Sequence, residues 1–422
     1  MFDWKIELWA VERFVPYARN PRKNDHAIGR MVAAIQEFGF AVPLLARRSG
    51  EMIDGHLRFK AAQKLGLREL PVIPCDDWSE AQVKAFRLNV NRSATWAEWD
   101  EDLVMAELAD LKALDFDLSL TGFDLPEIDR YLFPLGADDS TELDAVLPLA
   151  TQAVAAAGDL WVCGPHRVLC GDSTSPEAVS RLLASRKPLL MVTDPPYGVT
   201  LDPLWRQRAG LGAQRQIGAI PNDDRADWTA AYRLFAGSVA YVWHAGVHAP
   251  EVARGLIDAG FEIRAQLIWA KQHFALSRGD YHWGHEPCWY AVRKGQGSHW
   301  CGDRTQSTLW QVPNMNPFGG GNEEITGHGT QKPVELMRRA ILNHTQRGEI
   351  VYDPFLGSGT TLIAAERTER ICYGLEIAPQ YVDMIVRRWQ DLSGQEALLD
   401  GGGRTFQQIQ AERQPPASTG EI

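Results

Sequence analysis

The hydrophobic pattern along the chain changes period several times, and each change marks an element. Ile28, Met31, Val32, Ile35 and Phe38 recur at helical spacing and stop at Gly39, which predicts a helix over 28–38. Short apolar runs at 43–46, 51–55 and 70–74 read as strands, and 56–65, closed by Gly66, as a second helix. Opened by the extended, turn-rich 13–22, residues 1–92 therefore read as a small α/β module. From 93 to 135 acidic and apolar positions alternate. Leu103, Leu108, Leu111, Leu114 and Leu118 mark one helix, and a second is capped near Asp124 with Pro126 in its first turn. This segment reads as a coupling element, and the Ala/Asp/Ser/Thr-rich 136–157 as a linker.

A longer periodic region follows. Residues 158–170 predict a β-hairpin turning at Gly164-Pro165, 176–184 a helix, and 187–193 a buried parallel strand. Residues 239–243 and 262–269 read as further core strands. At 350–352 a strand enters a glycine-containing turn, a helix starts at Thr360, and 370–377 is again a strand. Strands alternating with helices predict an α/β sheet with helices on both faces over 158–392. Beyond 392 the chain is polar, with Gly401-Gly402-Gly403 and Pro415-Pro416, and is expected to be a disordered tail.

Charge changes this picture only once it is located. The net charge of −11 argues against a nucleic-acid binder. Residues 1–92, however, hold 15 Lys+Arg against 11 Asp+Glu, and 93–150 hold 2 against 15. The acidity is concentrated in one segment, so the flanking bodies can present basic faces to phosphate. No apolar run is long enough to span a membrane, and the first residues do not read as a signal peptide. Six scattered cysteines without CxxC pairs read as reduced thiols in a cytosolic protein.

The chemistry is densest at Asp194-Pro195-Pro196-Tyr197. Two prolines cannot continue a central strand, so the backbone leaves the sheet there. What remains is a carboxylate, the carbonyls of Asp194 and Pro195, and an aromatic face. An exocyclic amino group on a flat heterocycle suits them, because the oxygens accept its two N–H bonds while the ring stacks on the base. The alternative is a strand-ending turn with no ligand. A second motif, 349–365, offers Gly357 and Gly359 for close ligand approach and a helix N-terminus at Thr360. It lacks the full dinucleotide fingerprint, which disfavours a pyrophosphate. Glu376, at the tip of the next strand, stands where ribose hydroxyls are held in such half-sheets.

Together these residues resemble the amino-group DNA methyltransferases that use S-adenosylmethionine, in the motif order of their beta group. The resemblance covers about 158–392 and implies a Rossmann-like methyltransferase sheet. Asp194, Pro195, Pro196 and Tyr197 match the catalytic motif. Asp353, Phe355, Gly357, Ser358, Gly359, Thr360 and Thr361 match the cofactor loop, with Glu376 and its neighbour Ile377 at the ribose. Gly171-Asp172-Ser173 matches a segment whose Asp faces the cofactor adenine, and Lys332, within Thr330-Gln331-Lys332-Pro333, one near the methionine moiety. Residues 1–92 resemble the ParB/sulfiredoxin-type domain, whose turn, here 54–58 with His56 and Arg58, meets nucleotide phosphate. No sulfiredoxin cysteine accompanies it, and the second phosphate motif is degenerate at 89–92. Helix capping, DNA phosphate contact and partner recruitment remain alternatives for that turn.

Target recognition is implied between the two motifs, at about 200–325. Arg206 and Arg215 lie in a polar segment read as a mobile loop. Lys271, Arg278, Arg293 and Arg304 are interleaved with aromatics, a pattern suited to phosphate contact. Trp289 and Tyr290 read as core, and four nearby histidines lack zinc spacing. The expected reaction is methylation of a flipped-out adenine at N6 in double-stranded DNA, because an Asp opening the motif favours adenine in that family. N4-cytosine methylation and a non-catalytic ParB-like DNA-binding protein are the alternatives. A homodimer is compatible with the sequence, which specifies neither a recognition site nor a partner endonuclease.

Overall fold

The computed structural model describes residues 4–93, 95–133, 149–150, 152–199, 221–275, 280–302, 306–313 and 331–414. The chain divides into two compact units, Met1–Leu132 and Phe133–Ile422.

In the first unit β1 (Glu7–Ala10), β2 (Leu44–Ala46), β3 (Met52–Asp54) and β4 (Glu69–Pro74) form one sheet in the order β1-β4-β2-β3. Helices α1 (Ile28–Phe38) and α2 (His56–Leu65) occupy the predicted spans, and Gly39 and Gly66 follow them with positive φ. The core between these elements gathers Trp9, Leu44, Met52, Phe59 and Leu70. A further helix, α3 (Glu80–Ser93), was not legible, because its residues alternate polar and apolar without a strong stripe. Tertiary contacts hold it: Val83 packs with Ile53, and Arg87 donates to Met52 O at 2.6 Å while lying 3.6 Å over the Tyr17 ring. The acidic helices α4 (Glu101–Ala113) and α5 (Leu125–Leu132) share a small core of Val104, Leu108, Leu118 and Ile128. Asp124 caps α5 as expected, its Oδ1 accepting from Glu127 N at 2.9 Å. These helices belong to the first unit and are not a free connector.

The second unit is built on ten strands. They are β5 (Leu160–Cys163), β6 (His166–Cys170), β7 (Leu190–Thr193), β8 (Val239–Trp243), β9 (Phe261–Ala275), β10 (Trp283–Arg293), β11 (Leu309–Gln311), β12 (Ile350–Asp353), β13 (Ile371–Glu376) and β14 (Leu398–Leu399). Their order is β11-β9-β10-β8-β7-β12-β13-β6-β5-β14, and β8, β7, β12, β13 and β6 run parallel. Parallel strands covered on both faces carry continuous apolar runs, and every residue of β7 and β8 is buried. Helices α6 (Pro176–Leu183), α7 (Thr229–Leu234) and α8 (Ala249–Asp258) pack on one face through Val179, Leu182, Tyr232 and Leu256. The other face receives α9 (Val334–His344), α10 (Thr360–Arg367), α11 (Pro379–Ser393) and α12 (Phe406–Arg413) through Met337, Leu362, Ile385 and Phe406. This is the expected α/β sheet with helices on both faces.

The path of the chain decides where a ligand can sit. From β7 the chain goes on to β8 on one side, and from β12 to β13 on the other. The carboxyl ends of β7 and β12 therefore flank a topological switch point, where open α/β sheets form a crevice.

Three expectations need correction. The disordered tail does not begin at 393: β14 pairs with β5, and α12 starts in a capping box at Thr405 and buries Phe406 and Ile409. Short apolar elements embedded in polar sequence find their partner only in the folded sheet. The linker ends before 157, since Val154 and Ala155 are buried and both their N–H groups donate to Asp383. The aromatic and basic stretch from 271 is not a separate recognition surface throughout. It supplies β10, a strand between β8 and β9 whose Trp289 and Tyr290 pack against the core.

Candidate active site

Four acids stand at the carboxyl ends of four neighbouring parallel strands: Asp194 after β7, Asp353 in β12, Glu376 in β13 and Asp172 after β6. Their order across the sheet brings together residues up to 204 positions apart, and each holds its place by different chemistry.

Asp353 is saturated. Its Oδ1 accepts from Thr193 Oγ1 at 2.6 Å and from Phe355 N at 2.9 Å, and its Oδ2 from Thr361 Oγ1 at 2.6 Å. Burial nevertheless raises its carboxyl to about 6 against those three donors. Thr361, expected at the cofactor, thus spends its hydroxyl on the frame. Gly359 caps α10 with φ 87°, and a Cβ there would lie 3.0 Å from Ile385, so glycine is required. Glu376 Oε2 accepts from Gly357 N and Oε1 from Ala378 N, each at 2.9 Å. Burial raises this carboxyl to about 7. Asp172 is exposed, and its Oδ1 closes a local turn with Thr174. Phe355 packs edge-on against Trp228 at 4.6 Å, and Ile377 is exposed at the rim. Ser358 O accepts from Arg388, and Thr360 is buried in the first turn of α10.

Asp194 is not saturated. Its Oδ2 meets Lys332 Nζ at 2.9 Å, but its Oδ1 is buried without a hydrogen-bond partner. Burial pushes its carboxyl above the usual range, opposed by the Lys332 ammonium. Pro195 is buried, and Pro196 O accepts from Trp228 Nε1 at 3.0 Å, which fixes the turn. Tyr197 packs against the core, and its hydroxyl donates to Glu286 Oε2 at 3.1 Å. Lys332 bridges two acids, reaching Glu286 Oε2 at 2.8 Å, and lies 5.0 Å over the Tyr197 ring. Expected beside the cofactor methionine, its ammonium is engaged by Asp194 and Glu286. Burial alone would lower its pKa, yet the carboxylates of Asp194 and Glu286 raise it.

Two cations expected at DNA have partners within the protein. Lys271 is 9 % exposed and its ammonium is ion-paired with Glu286. Arg293 donates from all three nitrogens to the carbonyls of Gly237, Ala259 and Phe235, so it pins strand to loop. Arg206, Arg215, Arg278 and Arg304 lie outside the described residues. In the first unit His56 Nε2 accepts from Tyr17 N at 3.2 Å, and Arg58 pairs with Asp54 at 3.0 Å. Both side chains brace the turn, and Arg58 Nε remains buried without a partner.

Glu286 escaped the sequence reading, which attended to the histidines and aromatics around it. The available signal was a lone acid inside an apolar strand run, at 283–293. Trp228 was missed because nothing local links it to Pro196.

The doubly wound α/β sheet thus carries a buried acid corner beside a glycine loop at its switch point. Residues 189–387 match the family model described as DNA methylase, N6_N4_Mtase, and 102–156 match the ParB-methyltransferase HTH domain. Type II methyltransferase M2.MboI of Moraxella bovis is 26 % identical over 225 residues, covering 48 % of this chain and 81 % of that protein. DNA adenine methyltransferase YhdJ of Escherichia coli is 36 % identical over 85 residues, covering 20 % and 28 %. The crystal structure of the M1.HpyAVI–SAM complex aligns over 52 % of this chain and 97 % of its own, at 24 % identity and a TM-score of 0.38.

Proposed function

We propose that this chain methylates double-stranded DNA at the N6 amino group of adenine, with S-adenosylmethionine as donor. The observation that carries the reading is Asp194 Oδ1, a buried carboxylate oxygen with no partner at the switch point beside the glycine loop. An orphaned buried acceptor costs free energy unless a ligand supplies the donor.

The residues around the loop fit the cofactor. Glu376 can accept from ribose hydroxyls, Gly357 and Gly359 permit close backbone approach, and Phe355 and Ile377 offer apolar surface to its adenine. Asp172 stands at the same sheet edge. When bound, S-adenosylmethionine supplies an electrophilic methyl group at a sulfonium centre.

The protein's own contribution is positioning. A stacked base cannot reach a crevice at the strand ends, so the target is flipped out, at a cost of a few kcal/mol. Tyr197 replaces the lost stacking. Asp194 Oδ1 and the Pro195 carbonyl accept the two N–H bonds of the amine, which directs its lone pair away from them. Such orientation lowers the barrier by several kcal/mol without a covalent intermediate. After transfer the amine must lose a proton, and the Asp194 carboxylate, raised by burial, can receive it at Oδ1. The Cys288 thiol, pushed up by burial, is unsuited to the thiolate chemistry of cytosine-C5 transfer.

Adenine is preferred because Asp opens the catalytic motif, and a relative named for DNA adenine methylation shares the region. The same oxygens would accept the N4 amine of cytosine. Incubation with labelled S-adenosylmethionine and bacterial DNA, followed by identification of the modified base, tests both. N6-methyladenine supports the proposal, N4-methylcytosine moves it to the other amine, and intact cofactor binding without incorporation overturns it.

A further inference from the structure

Glu286 lies outside every motif described above, yet it touches most of the charged groups around Asp194. It projects from β10 on the same face as Cys288, level with Trp269 of β9. Its Oε2 takes Lys332 Nζ at 2.8 Å and the Tyr197 hydroxyl at 3.1 Å, and its Oε1 takes the Lys271 ammonium. The side chains of Lys332 and Lys271 are 3 % and 9 % exposed. Charges alternate along this chain: Asp194, Lys332, Glu286, Lys271. Lys332 is nearly equidistant from its two acids, at 2.9 and 2.8 Å.

We propose that Glu286 is a positioning residue for methyl transfer, orienting Tyr197 and sharing Lys332 so that Asp194 keeps one oxygen free for the target amine. This rests on the function proposed above. An ammonium has three donors, and with Asp194 as its sole acid it would draw on both carboxylate oxygens. Glu286 divides the ammonium between two carboxylates, so only Oδ2 of Asp194 is used. The same carboxylate oxygen that holds Lys332 also fixes the Tyr197 hydroxyl, which couples ring orientation to the charge chain. Lys271 is what permits a second acid so near Asp194, because it restores neutrality. Burial would raise the Glu286 carboxyl, but Lys332 and Lys271 hold it down at about 2, so it stays ionised.

The other ionisable groups facing the corner are uncharged or already satisfied. His244, beyond β8, has Nδ1 bonded to Pro287 O, and burial lowers it to about 4, so it is neutral. Burial keeps the Cys288 thiol protonated. Asp353 lies across the switch point and is saturated.

The test is Glu286→Gln in the full-length protein, comparing kcat, KM for DNA, cofactor affinity and the acidic limb of the pH profile with wild type. Glutamine keeps the shape and removes one charge. We expect kcat to fall at least tenfold while cofactor affinity stays within about threefold. Glu286 raises the Asp194 carboxyl by repulsion, so its neutralisation should move the acidic limb to lower pH. Lys332→Met should move it the opposite way. If Glu286→Gln folds poorly, Glu286→Gln/Lys271→Met, which restores neutrality, takes its place with the same expectation for kcat. Unchanged kcat and an unmoved limb, with cofactor bound, would overturn the proposal. Absence of transfer by wild type to any DNA amine would instead sink the methylation reading, and the role assigned to Glu286 with it.

Discussion

Asp194-Pro195 and Asp353-Pro354 close neighbouring parallel strands, and both carboxyl groups are raised by burial. Asp353 meets that burial with two hydroxyls and a backbone amide, all within eight residues of it or on the adjacent strand. Asp194 meets it with one ammonium and leaves an oxygen unused. The same dipeptide in the same sheet thus produces a fixed joint on β12 and a vacant acceptor on β7. On the proposed function, the contrast separates an acid that holds the fold from an acid left open for a substrate.

The largest effect should fall on chemistry at the vacant acceptor. Asp194→Ala is expected to lower methyl transfer by about 10³-fold or more, in line with the loss of a key transition-state contact. Cofactor affinity should stay within a few fold in a direct binding titration. An active variant would erase the distinction drawn between the two acids.

Asp353→Ala should do the reverse, costing about 3 kcal/mol of stability by urea unfolding, since it strands two buried hydroxyls and an amide. Transfer per folded molecule should change far less than in Asp194→Ala. The carboxyl is raised from its ordinary value to about 6, so the folded state holds the proton more tightly. Its contribution is therefore fully present below about pH 4 and is lost as pH rises through about 6. Stability followed from pH 4 to 7 should show that decline in wild type and a shallower one in Asp353→Ala, where the share owed to the raised Glu376 carboxyl remains.

Glu376 extends the comparison along the sheet. Glu376→Ala should weaken cofactor binding by about 10- to 100-fold, the range of one or two lost charge-assisted hydrogen bonds. The sign of its pH dependence follows from burial, which raises this carboxyl to about 7. Hydroxyl donors prefer the ionised form, so affinity should fall as pH drops below 7. A flat profile would count against the ribose assignment.

The smallest effect is expected at Tyr197→Phe. The stacking face remains while the hydroxyl, which bonds Glu286 and also lowers the Asp194 carboxyl, is lost, so kcat should fall by about a factor of a few. A loss as large as that of Asp194→Ala would mean that the hydroxyl itself takes part in transfer.

Much of this site was legible before folding was considered. Asp194, the glycine loop and Glu376 each sit where a strand pattern breaks, and breaks in periodicity are local events. Lys271 and Arg293 show the limit of such local signals: a cation among aromatics looks the same whether it meets phosphate or a buried acid. In the fold, Lys271 is paired with Glu286, and Arg293 is spent on three carbonyls. The tail misled because α12 is polar except for the residues that dock, Phe406 and Ile409.

The amino-acid sequence by itself determined the strand-ending corners, the glycine loop and the alternation of strand and helix, because hydrophobic period and proline or glycine punctuation act over a few residues. Only the tertiary structure decided that β7 and β12 lie side by side, that Asp353 is satisfied and Asp194 is not, and that Glu286 completes the charge chain. Those facts turn on contacts such as Lys332–Glu286 and Thr193–Asp353, 46 and 160 positions apart, whose strength is set by burial that no local stretch encodes.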